Sequence, residues 1–133
     1  MNARTIKSRL RHAEARTEVW RKRMLIDPNW VITVLYQPEK DPNSPDDQIL
    51  FDDSSAEYWK ITLTLMPALM DQPVKEFKND LETALRHEML HIIMWQLTSF
   101  CLNMAGKKCE TELIKLEEQC VQKIEDMLAR VRW

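Results

Sequence analysis

The sequence predicts an α+β fold: an N-terminal helix, a small, mostly antiparallel sheet of two or three strands, a central helix and a C-terminal helix. Three observations point there. Apolar residues recur at helical spacing near both ends of the chain. Between them lie short β-branched and aromatic runs, separated by turns rich in proline, aspartate and asparagine. From Val74 to Asn103 neither proline nor glycine interrupts the chain. A length of 133 residues suits one domain, 1–133, with a real core.

Each element has its own warrant. Residues 2–24 place Ile6, Leu10, Ala13, Trp20 and Met24 on one face of an amphipathic helix, and "DPN" at 27–29 stops it. "WVITVLYQ", 30–37, is a strand by composition, and "PEKDPNSPDD", 38–47, is a loop. "ILF", 49–51, is a second short strand, and "DDSSAE" turns the chain again. In "YWKITLTLM", 58–66, Ile61, Leu63 and Leu65 alternate with Lys60, Thr62 and Thr64, which reads as an antiparallel strand near a sheet edge, ended by Pro67. Asn79 or Asp80 is the expected cap of the central helix. Beyond Glu88 that helix is apolar nearly all round, as a helix inside a domain must be. Gly106 is placed to end it in a left-handed conformation. "KKC" then begins a link to a last helix over roughly 110–131.

Composition excludes several functions. Charged residues form 30% of the chain and hydrophobic ones 44%, which is globular rather than disordered. The most apolar stretch, Met89–Leu102, is too short for a membrane span. Three cysteines without a CxxC pair, behind no signal-like apolar run, are expected as free thiols in a cytoplasmic setting. Asp46, Asp47, Asp52 and Asp53 lack the alternating spacing of a calcium loop. The first helix is basic, with Arg4, Lys7, Arg9, Arg11, Arg16, Arg21, Lys22 and Arg23 against Glu14 and Glu18. A solvated helix face accounts for this, so nucleic acid is not the expected partner.

The chemistry concentrates in "LRHEMLHII", 85–93. His87, Glu88 and His91 spell HExxH, and only one other histidine, His12, occurs in the chain. At about 100° per residue the two imidazoles stand one turn apart on the same face, where both can reach one ion. Glu88 projects beside that ion and is placed to act as general base. Uncharged buried imidazoles and a carboxylate on an apolar helix would otherwise each need a hydrogen-bond partner, at about 1–3 kcal/mol apiece if unmet.

A third ligand must come from elsewhere, because positions 94 and 97 are Met94 and Leu97 rather than glycine and histidine of an extended motif. The last helix is rich in carboxylates. Leu113, Leu116, Cys120, Val121, Ile124, Met127, Leu128 and Val131 mark its expected buried stripe. Glu117 falls within that stripe and is the first candidate; Glu118, at its margin, is the alternate. A glutamate there without a charge partner is costly, which favours ligation, although a salt bridge to Arg86 is the competing explanation for Glu117.

With "RHEMLHII", "LEEQCVQKIE" and the preceding "KITLTLM" in view, the chain resembles a minimal gluzincin-type zincin metallopeptidase. It is similar to the small metallopeptidase-like proteins of phages and prophages, over roughly residues 30–131. The resemblance implies a zincin-like fold and a Zn2+ ion held by His87, His91 and Glu117 (or Glu118), with Glu88 as base. It also implies a peptide or protein substrate laid along an edge strand, here residues 60–66. Larger gluzincins add an oxyanion donor from a further domain, a role open here to Tyr58, Tyr36 or His12. The alternative function is a zinc-binding, non-catalytic regulatory or interaction protein.

Overall fold

The computed structural model describes residues 1–106 and 109–131, so the link expected at Lys107 and Lys108 lies outside the described residues. The chain forms two compact units, Met1–Leu85 and Arg86–Trp133. Their boundary falls inside a helix rather than in a linker.

In the first unit, α1 (Ala3–Arg23) is capped by Asn2, whose side chain accepts the amide of Thr5. It buries Ala13, Thr17 and Trp20. Thr17 satisfies its hydroxyl by donating to the Ala13 carbonyl at 2.8 Å. Strands β1 (Val31–Tyr36), β2 (Ile49–Asp52) and β3 (Lys60–Leu65) form a sheet of order β1-β3-β2. A short 3₁₀ turn, Ala56–Tyr58, separates β2 from β3. β3 buries Ile61, Leu63 and Leu65, as its alternation predicts.

Two expectations about the sheet are corrected. β3 pairs parallel with β1 and antiparallel with β2, so the sheet is mixed rather than mostly antiparallel. β3 is also the central strand, paired with β1 over residues 60–65 and with β2 over 62–65, so it is not the edge strand expected to carry a substrate. Alternation reports which face of a strand is buried; it carries no information about who occupies the two edges.

Pro67 ends β3 as expected and also starts a short helix, α2 (Pro67–Met70), where a proline at the first position loses no hydrogen bond. α3 (Val74–Ala105) begins directly after Pro73, not at Asn79 or Asp80. The Phe77 amide already bonds to the Pro73 carbonyl at 2.9 Å. Phe77, Leu81 and Leu85, spaced by four, extend the buried stripe back to this first turn, and that packing outweighs the later capping signal. Asp80 instead accepts a hydrogen bond from Gln48 at 3.0 Å.

A charged cluster ties α1 to the start of α3. Glu82 accepts from Arg16 Nη2 at 2.9 Å and from Trp20 Nε1 at 2.8 Å. Burial pushes the Glu82 carboxyl up, but the bonds from Arg16 and Trp20 and the charges of Arg16 and Arg23 outweigh it, so its pKa is lowered. A depressed folded-state pKa means stability that is complete above the unfolded carboxylate range and is lost as pH falls through the lowered value. Glu82→Gln is therefore expected to be less stable than wild type by about 1–2 kcal/mol at pH 7. Its urea midpoint should also change less than that of wild type between pH 6 and pH 3. Parallel pH curves for the two proteins would remove this role.

In the second unit the remainder of α3 buries Met89, Leu90 and Ile92. Gly106 follows at φ +73°, and its amide closes onto the Leu102 carbonyl at 2.9 Å, the left-handed cap expected of it. α4 spans Glu110–Leu128 and buries Val121 and Glu125. Its buried stripe is rotated from the expected one: Leu116 and Met127 are 55% and 68% exposed, and Cys120 and Val131 also face outward. The stripe instead runs through Leu113, Glu117, Val121, Ile124, Glu125 and Leu128. All three cysteines are free thiols. Among the described residues no helix is long and apolar enough to cross a membrane.

Candidate metal centre

His87 and His91 stand one turn apart on α3, in a stretch that neither proline nor glycine breaks, and α4 supplies the groups around them. The rings meet edge to face, with centroids 4.9 Å apart and planes at 68°. Each ring places its Nδ1 against a different glutamate: His87 Nδ1 lies 3.0 Å from Glu125 Oε2, and His91 Nδ1 lies 2.7 Å from Glu117 Oε1. An ionised carboxylate only accepts hydrogen bonds, so each Nδ1 is the donor to its glutamate, which in a neutral ring leaves the Nε2 lone pair facing inward.

Those two Nε2 atoms face each other at 3.2 Å. Glu118 joins them, with carboxylate oxygens 2.9 Å from His91 Nε2 and 3.6 Å from His87 Nε2. Bonds of 2.0–2.1 Å in a tetrahedral site set donor atoms roughly 3.3 Å apart. The Nε2 pair at 3.2 Å and the Glu118 Oε1 contact at 2.9 Å lie near that value, and the 3.6 Å contact to His87 is made by the other oxygen, Oε2. Two imidazole nitrogens and a carboxylate converging at this spacing call for positive charge among them, carried by protons on the rings or by a metal ion. His87, His91 and Glu118 therefore fit a divalent metal with nitrogen and oxygen ligands and a fourth position left for water or substrate.

The electrostatics agree. Burial pulls His91 down, but the bond to Glu117 and the negative charges of Glu88, Glu118 and Glu117 raise its pKa overall. Glu117 is lowered, first by His91 and further by a hydrogen bond from Thr98, against the opposing effect of burial. The surroundings favour positive charge at His91, whether it is carried by a proton or by a metal.

The assignment of the third ligand shifts accordingly. Glu117, the first candidate, occupies the outer nitrogen of His91, and the alternate, Glu118, is the carboxylate at the converging nitrogens. Helical phase placed Glu117 on the buried side correctly, and its side chain is 17% exposed. Burial is a poor guide to ligation, however. Glu117 and Glu125, 17% and 8% exposed at the side chain, back the rings, while Glu118, 53% exposed, approaches from the solvent side.

Glu88, the expected base, is buried at 9% exposure, and its charge is felt at His91. Glu125 was missed by sequence reasoning. The available signal was the spacing Glu117-Val121-Glu125, three residues four apart, which puts two glutamates and a valine on one face. His12, Tyr36 and Tyr58, the open choices for an oxyanion donor, belong to the first unit. Comparison with family models, curated proteins and solved structures found no match to this chain.

Proposed function

We propose that this chain is a zinc-dependent metallopeptidase, with His87, His91 and Glu118 as metal ligands and Glu88 as general base. The observation that carries the reading is the pair of Nε2 atoms 3.2 Å apart, each turned inward by a carboxylate on its Nδ1 and shared by Glu118. Zinc, when bound, would supply Lewis acidity toward a peptide carbonyl and toward water.

The chain's own groups supply the remainder. Glu88, one position from His87, would take a proton from the attacking water and return it to the departing amine. Glu117 and Glu125 hold the two rings in the Nδ1–H tautomer and in fixed orientation, so that both Nε2 atoms stay available. The half-exposed Glu118 leaves the ligand side of the site accessible to an extended peptide.

The test is elemental analysis of the full chain, purified without added metal or chelator. Stoichiometric zinc in the wild type and its loss in His91→Ala are expected, together with chelator-sensitive cleavage of a mixed peptide library. A folded native protein that contains no metal and takes up none on dialysis against zinc would sink the proposal.

A further inference from the structure

A cavity of about 420 Å³ in the first unit is lined by the opening turns of α1 and α3. Its side chains include Arg4, Ser8, Arg9 and His12 from α1, and Phe77 and Lys78 from α3. No acidic side chain lines it. Arg9 is held in place from within: Nη1 donates to the carbonyls of Met70 and Gln72, the latter at 2.7 Å, and the guanidinium lies 4.7 Å from the Phe77 ring centroid. Arg4 and Lys78 are exposed and make no ion pair among the described residues. Both helices also begin here, where the aligned peptide dipoles add positive potential, although Asn2 caps the Thr5 amide and Glu76 stands in the first turn of α3.

Burial lowers His12, the charges of Lys78 and Arg16 lower it further, and Glu82 opposes them without prevailing. Phe77, buried at 2% exposure, and the exposed Val74 give one wall an apolar character.

We propose that this cavity binds a small organic phosphate: a phosphate monoester whose oxygens are taken by Arg4, Ser8 and Lys78 and whose apolar body rests along Val74 and Phe77. Several dispersed cationic and hydroxyl donors match a dianion with three terminal oxygens better than a planar carboxylate, which is satisfied by a single fork. The volume lies within the ordinary range of small-molecule sites, about 300–1,000 Å³. The inference is independent of the metal centre.

The test is titration of the full chain with phenyl phosphate, inorganic phosphate, phenylacetate and a short single-stranded oligonucleotide, followed by calorimetry. Phenyl phosphate is expected to bind most tightly of the four. Arg4→Gln/Lys78→Gln should weaken it about tenfold or more, as loss of two charge-assisted contacts requires. Val74→Glu, which adds a negative charge at the exposed wall, should weaken it similarly without touching either cation. His91→Ala should leave it unchanged, which separates this site from phosphate held by a metal. The proposal is overturned if phenyl phosphate fails to bind, or if its binding survives both the double variant and Val74→Glu. It is equally overturned if phenylacetate matches phenyl phosphate, or if the oligonucleotide binds more tightly than any monoester.

Discussion

On the proposed assignment, Glu88→Gln is expected to bind zinc as the wild type does and to lose peptide hydrolysis. The substitution removes the proposed proton acceptor while preserving the shape of a buried side chain. It also leaves His87, His91 and Glu118 intact, so metal content should match that of the wild type. Removal of a positioned general base costs about 10²–10⁴-fold in rate, so kcat should fall by that factor with little change in KM. Elemental analysis and steady-state kinetics on the same preparation decide the matter. If cleavage persists undiminished in Glu88→Gln, Glu88 is not the base. If the wild type binds zinc but cleaves no peptide, the site belongs to a metal-stabilised interaction protein instead.

The second large effect separates ligand from support. Glu118→Ala is expected to reduce zinc affinity by more than the about 10–100-fold that loss of an outer-sphere partner produces. Glu117→Ala and Glu125→Ala should fall within that range, because each leaves the three converging donors in place and frees only one ring to reorient. Competition with a chromophoric chelator gives all three affinities on one scale. The order Glu118 far below Glu117 and Glu125 supports the geometry; Glu117→Ala as the most severe variant would return the ligand role to Glu117. A fold control is built in, since Glu118 is 53% exposed and its truncation should scarcely alter the thermal stability of the metal-free protein.

The residues that bear on chemistry were unequally legible. HExxH could be read directly because both histidines sit on one helix, where spacing alone fixes their relative direction. The β3 alternation could be read for the same local reason, and Ile61, Leu63 and Leu65 are the buried positions it names. The start of α3 could not, because capping at Asn79 or Asp80 competes with burial of Phe77 one turn earlier, and burial is a tertiary quantity. The α4 stripe was misjudged by a fraction of a turn. Apolar residues span a wider arc than the helix buries, and glutamates bonded to imidazoles take up part of the inner face.

Local pattern was enough for an α+β chain with two imidazoles and a carboxylate clustered on one uninterrupted helix, since each of those features depends on neighbours within a few residues. Tertiary structure alone decided that β3 is central, that Glu118 rather than Glu117 meets the Nε2 atoms, and that Glu125 stands behind His87. Those outcomes depend on which strand pairs with which, and on the rotation of one helix against another. His91 and Glu117 are 26 residues apart and His87 and Glu125 are 38 apart. A rotation of even part of a turn exchanges which carboxylate reaches the ligand nitrogens, and no local pattern encodes that angle.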